Sequence, residues 1–150
     1  MVGLERGQVT AFLGQPDFIR KDAPAEVWHT ETQLPETDLI VIPGGFSYGD
    51  YLRAGAMAAH SPVLREVIAR ARSGVRVLGI CNGFQVMVKI GLLPGPFSAN
   101  GAEQTVTLTN NDSNKFEDRW VHLRIDTENC VFTRGLERIY IPVAHGEGKF

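Results

Sequence analysis

The sequence predicts an α/β fold: a mainly parallel sheet covered by helices on both faces, with antiparallel strands added in the C-terminal third. Three observations carry this. The apolar runs Leu39-Ile40-Val41-Ile42 and Val75 to Ile80 read as buried strands, and a segment of helical period joins them. Each run ends in a glycine turn, and the second turn leads directly into another helical pattern. After Phe97 the pattern changes to a period of two.

The elements follow in order. Residues 1 to 25 are weakly patterned, because Gly3, Gly7, Gly14, Pro16 and Pro24 break any long element. Thr10 to Phe12 and Phe18-Ile19 fit a short helix or an irregular segment, and Val27-Trp28 fits a short strand. After the first buried strand comes Pro43-Gly44-Gly45, then a loop from Phe46 to Tyr51. Ser61-Pro62 opens a helix, with Ser61 as cap and Pro62 in the first turn. Val63, Leu64, Val67, Ile68 and Ala71 recur at helical spacing, and Gly74 closes the helix. The second buried strand and a largely apolar helix through Phe84, Val88 and Leu92 complete a βαβα unit. Further on, Thr105 to Thr109 and Trp120 to Ile125 alternate as strands do, and Tyr140 to Ala144 makes a last short strand.

Composition excludes several function classes. The chain has 150 residues, 43% hydrophobic and 21% charged, which suits one globular domain spanning residues 1–150. The net charge is −2 and the arginines are spread, so no nucleic-acid surface is expected. No run is long enough to span a bilayer, and the start lacks the apolar core of a signal peptide. Two cysteines make neither a disulfide framework nor a zinc site, and no metal or cofactor is expected. A reduced, cytoplasmic setting fits that cysteine usage and is expected. Cys130 has no glycine turn beside it and reads as structural or surface.

Chemistry concentrates at Gly79-Ile80-Cys81-Asn82-Gly83. Glycines two residues either side of a potential nucleophile, between strand and helix, have the form of a nucleophile elbow. The candidate nucleophile is the thiol of Cys81, placed at a helix N-terminus where N–H groups and the dipole favour a thiolate; the alternative is an ordinary buried cysteine at a strand end. Loops at the carboxyl ends of neighbouring strands share one crevice, so Pro43-Gly44-Gly45 faces the same site. There the N–H groups of Asn82 and Gly45 are candidates for an oxyanion hole in acyl transfer.

These residues resemble the class I, triad-type glutamine amidotransferases, whose elbow is similar to Gly79 through Gln85 and whose oxyanion loop is similar to Pro43-Gly44-Gly45. The string from Pro43 to Gly55 narrows the resemblance to the glutaminase subunits of phosphoribosylformylglycinamidine synthase. Trp28 to Glu31, Leu92 to Gly95 and Ala144 to Gly148 fit the same family. The resemblance covers roughly residues 26 to 150 and implies a three-layer, doubly wound sheet of flavodoxin-like type. It also implies glutamine hydrolysis through a thioester on Cys81, with Gln85 and Phe46 lining the substrate pocket. Ammonia then passes to a large synthetase subunit, which uses ATP and magnesium to convert formylglycinamide ribonucleotide to its amidine. A small accessory subunit bridges the two.

The sequence departs from that family at both ends. The usual first strand and its loop are not visible in residues 1 to 25. The family's base lies in a Pro-His-Pro-Glu-like motif, and the chain stops at Phe150 before such a motif. His145 in His-Gly-Glu matches an upstream motif instead, so His145 and Glu147 read as a polar loop, and His29, His60 and His122 as ordinary strand or loop residues. The expectation is therefore an incomplete domain with little turnover alone. Two alternatives stay open. One is an amidotransferase-like module that only docks a partner; the other is a different cysteine enzyme on the same elbow, against which the Phe46 to Gly55 string argues.

Overall fold

The computed structural model describes residues 8–12 (backbone only), 25–45, 55–95, 104–126 and 129–150. Phe46 and the rest of its loop lie outside the described residues. The chain divides into two compact units, one of residues 1–108 with Phe150 and one of residues 109–149.

The first unit is built on a four-stranded sheet of β1 (Gln8–Phe12), β2 (Ala25–Trp28), β3 (Leu39–Ile42) and β4 (Arg76–Gly79), in the order β2-β1-β3-β4. The two apolar runs form β3 and β4, and these pair in parallel, Leu39 opposite Arg76 through Ile42 opposite Gly79. The other two pairings, β1 with β2 and β1 with β3, are antiparallel. Among the described residues the sheet is thus mixed, which corrects the mainly parallel layout expected. Parallel neighbours require a crossover, and the one described crossover helix, α1 (Val63–Arg72), lies between β3 and β4. Residues 8–12 form a strand, not a short helix. Their Val-Thr-x-Phe content favours a pleated surface, and β2 and β3 supply a ladder on each side. The buried reading holds for alternate residues of the first run, where Ile40 and Ile42 are buried and Leu39 and Val41 half-buried. It is corrected for the second: β4, at the edge of the sheet among the described residues, is half-buried at Val77 to Gly79, and Ile80 is exposed.

Helix α1 begins one residue later than the Ser-Pro signal implied, with Pro62 in the capping position and Ser61 extended at φ −62°, ψ 133°. Proline disfavours helical geometry in the residue before it, so Ser61 instead ends a short 3-10 helix, Ala58–His60. Val63, Leu64 and Val67 make the buried face of α1. Glu66 accepts from Arg70 at 2.8 Å one turn on, and Arg70 also donates to the carbonyl of Leu34. The C-terminus is a Schellman motif. Gly74 at φ 100° lets the Val75 N–H reach the Arg70 carbonyl at 3.0 Å and its own N–H reach that of Ala71 at 3.1 Å. Helix α2 (Asn82–Lys89) ends the same way, with the Leu92 N–H donating to the Met87 carbonyl.

One core joins these elements. Ile40 and Ile42 of β3 meet Val63, Leu64 and Val67 of α1 and Val86 and Met87 of α2. Each such side chain, fully buried, contributes about 1.5–3 kcal/mol. Thr105 to Leu108 form no strand among the described residues, which corrects the expectation there. Alternation survives in burial alone, with Leu108 buried and the threonines exposed, because no neighbouring strand completes a ladder.

The second unit holds β5 (Thr109–Asn110), β6 (Glu117–Arg124), β7 (Arg138–His145) and β8 (Glu147–Lys149). Strands β5 and β8 pair antiparallel, as do β6 and β7 over their full length, Glu117 opposite His145 and Arg124 opposite Arg138. The added antiparallel strands are therefore present, and β6 and β7 are longer than their alternating cores. On one face of this ribbon Tyr140 stands 5.0 Å from Trp120 and 4.4 Å from His122, centroid to centroid.

Candidate active site

Because Ile42 lies opposite Gly79 in a parallel pair, both glycine turns leave the sheet at the same end. The ladder runs one bond further, with the Ile80 N–H donating to the Ile42 carbonyl at 3.0 Å. The chain then turns abruptly at Cys81, whose backbone has φ 54° and ψ −115°. A side chain other than glycine in this region stores about 1–3 kcal/mol of strain. The surroundings impose it, and the thiol stands exposed at the head of α2.

Glycines make the surroundings close enough. A Cβ on Gly83 would overlap the Ile42 carbonyl oxygen and lie 2.7 Å from its carbon and 3.0 Å from the Pro43 oxygen. A Cβ on Gly44 would lie 2.9 Å from the Cys81 Cβ and 3.5 Å from its Sγ. The first turn is thus in van der Waals range of the thiol, as the shared-crevice argument expects.

The remaining N–H groups set the electrostatics. At the start of α2 the Gly83 N–H donates to the Ile80 carbonyl and the Phe84 N–H to the Cys81 carbonyl, at 2.9 and 3.0 Å. The Asn82 and Gly45 N–H groups have no hydrogen-bond partner among the described residues. Gln85 is half-buried on the first turn of α2, and its Oε1 accepts from the Asn82 Nδ2 at 2.7 Å. Cys81, Asn82 and Gln85 therefore share one strand-to-helix turn, with Gly44, the neighbour of Gly45, packed against Cys81. Phe46 lies outside the described residues. His145 and Glu147 belong to the second unit, His145 at the end of β7 and Glu147 at the start of β8.

Sequence reasoning missed two contacts here. A Cβ on Gly55 would fall 2.8 Å from the backbone of Gln85 and Val86, so residue 55 packs directly on α2. The Asn82 to Gln85 bond was legible as an i,i+3 pair of amides at a helix start. Among the described residues no group of three or more His, Cys, Asp or Glu is placed to hold a metal ion. No helix among them is long and apolar enough to cross a membrane.

Cys130, also exposed, has a different environment. The Thr133 hydroxyl, with the backbone N–H groups of Phe132 and Thr133, holds its thiol below the ordinary thiol range.

A strained cysteine between a glycine-lined loop and a helix start has the geometry of a nucleophile elbow. Residues 10–150 match the CobB/CobQ-like glutamine amidotransferase domain, and the chain belongs to that family of enzymes. It is 50% identical over 135 residues to the phosphoribosylformylglycinamidine synthase subunit PurQ of Chelativorans sp. (strain BNC1), covering 88% of this chain and 56% of that protein. The subunit of the same name from Nitrobacter hamburgensis is 52% identical over 131 residues, covering 85% of this chain and 52% of its own. That of Rhizobium johnstonii is 46% identical over 145 residues, covering 95% and 57%. The chain spans about half the length of the curated relatives it matches. No solved structure matches it.

Proposed function

We propose that this chain carries the nucleophile and oxyanion donors of a glutaminase that supplies ammonia for the conversion of formylglycinamide ribonucleotide to its amidine. The observation that carries the proposal is the strained Cys81 turn lying in contact range of Gly44, with the N–H groups of Gly45 and Asn82 uncommitted among the described residues.

The Cys81 sulfur attacks the side-chain carbonyl carbon of glutamine. The carbonyl oxygen gains charge and takes hydrogen bonds from the N–H groups of Gly45 and Asn82. Gln85, held by Asn82, and Phe46 hold the substrate. The C–N bond breaks, ammonia leaves with a proton taken from the thiol through a base, and water hydrolyses the thioester to glutamate. The 150 residues contain no Pro-His-Pro-Glu motif. On this reading the thiol reacts once with an activated analogue, and both thioester formation from glutamine and turnover need a base from elsewhere. The two units act as parts of one amidotransferase domain in the cytoplasm. Its partners are a large synthetase subunit, which uses ATP and magnesium, and a small accessory subunit.

Strain at Cys81 weighs against a module that only docks a partner, since docking does not require a nucleophile in that backbone region. The test is alkylation with a diazoketone analogue of glutamine, followed by peptide mapping. Modification at Cys81, slowed by free glutamine and abolished in Cys81→Ser, is expected. Labelling mainly at Cys130, or labelling indifferent to glutamine, overturns the assignment.

A further inference from the structure

The second unit contains an imidazole held more tightly than a loop histidine requires. Asn111 is buried, and its amide makes every bond it can. Its Nδ2 donates to the carbonyls of Lys115 and His145, both at 2.8 Å. Its Oδ1 accepts from the Gly148 N–H at 3.1 Å and lies 2.9 Å from the His145 Nδ1. These backbone groups fix which end of the amide is which. Reversed, the oxygen would face two carbonyls and the nitrogen would face an N–H. An amide oxygen only accepts, so the His145 Nδ1 must be the donor.

Packing supports the same arrangement. A Cβ on Gly148 would overlap the imidazole, with the ring Cγ 2.6 Å away, so the ring lies against bare backbone. The ring's other nitrogen, Nε2, has no hydrogen-bond partner among the described residues. Across the ladder from His145 is Glu117, which accepts from the Ser113 hydroxyl at 2.6 Å and has Arg119 beside it.

We propose that Asn111 is the positioning residue for His145: it holds the imidazole in the Nδ1–H tautomer, so that Nε2 is the atom that accepts a proton. The Nδ1–H donates to Asn111 in the neutral ring and in the imidazolium alike. Protonation at Nε2 therefore changes no bond in the buried network, which is what a proton acceptor needs to work without reorganisation. The tautomer of His145 does not depend on the glutaminase reading.

The experiment is nitrogen NMR of the full chain with labelled histidine, His145 assigned by His145→Gln. In the neutral ring, a protonated-type shift at Nδ1 and an unprotonated-type shift at Nε2 are expected. Asn111→Leu removes the acceptor and should shift the ring toward Nε2–H. An Nε2–H tautomer or an even mixture in the unsubstituted chain overturns the proposal, as does an unchanged tautomer in Asn111→Leu. If Asn111→Leu does not fold, the tautomer of the unsubstituted chain still decides. None of these spectra involves Cys81, so failure of alkylation there and failure of the tautomer here remain distinct.

Discussion

Substituting Gly83 by alanine tests whether the two turns hold each other. The new Cβ overlaps the Ile42 carbonyl oxygen and sits 2.7 Å from its carbon, where ordinary contact begins at 3.4 Å, so α2 must retreat by at least 0.7 Å, the difference. The obstacle is strand backbone and cannot rotate aside as a side chain would. Overpacking of this kind costs about 1–3 kcal/mol. The better helix preference of alanine offsets at most about 1 kcal/mol. The net loss expected in denaturant unfolding therefore lies between about 0 and 3 kcal/mol. The chemical effect is larger, because Cys81 moves with the helix away from Gly44 and Gly45. A misplacement near 1 Å at a reacting atom costs on the order of 10²-fold in rate. The assay is the alkylation rate of Cys81 by the glutamine analogue, divided by the rate at Cys130 with iodoacetamide in the same protein. Cys130 lies in the other unit and serves as an internal reference for thiol reactivity. Unchanged stability together with an unchanged ratio would refute the argument that Gly83 sets the distance between the turns.

Two further outcomes are expected. Ile40 is fully buried at the centre of the first unit's core, so Ile40→Ala should lose about 2–5 kcal/mol in denaturant unfolding, and Ile40→Val about 0.5–1.5; a loss below 0.5 for Ile40→Ala would contradict that placement. In the second unit, the Ser113 hydroxyl, more than the charges of Arg119 and His145, holds the Glu117 carboxyl below the ordinary carboxylate range. A depressed carboxyl contributes stability that is fully present above its unfolded value and lost as pH falls through the folded value. Ser113→Ala should raise the Glu117 midpoint in carbon NMR and narrow that acid loss; an unmoved midpoint would remove the hydroxyl as the cause.

What the sequence made legible follows from what each signal measures. Leu39 to Ile42, and Arg76 to Gly79 within the run Val75 to Ile80, are strands because β-branched apolar residues leave few other options at that length; both were read in place, but the second is half-buried where a buried strand was expected. Which strands lie beside them is a tertiary matter. Residues 8–12 carry too short a pattern, between Gly7 and Gly14, to reveal that two neighbours await them. Thr105 to Leu108 show the converse, a pattern of period two that reports burial of one side and nothing about pairing. At the site, the glycines were readable because close backbone approach admits no other residue, and Cys81 was readable from them. The amide network around Asn111 was not, since it joins residues 34 and 37 positions apart through backbone groups that leave no pattern in side-chain type.

The Ile42 carbonyl has a consequence for how this turn can be moved between proteins. One oxygen accepts the Ile80 N–H on the way into the elbow and abuts Gly83 on the way out. The elbow's shape is therefore defined by the neighbouring strand as much as by its own seven residues. A heptapeptide copied alone into another sheet would carry the cysteine without the surface that bends it. The smallest portable unit is the pair of strand ends, Ile42 to Gly45 with Gly79 to Gln85, in the register that sets Ile42 against Gly79. Insertions between β3 and β4 are tolerable in this view, whereas a one-residue slip between them is not.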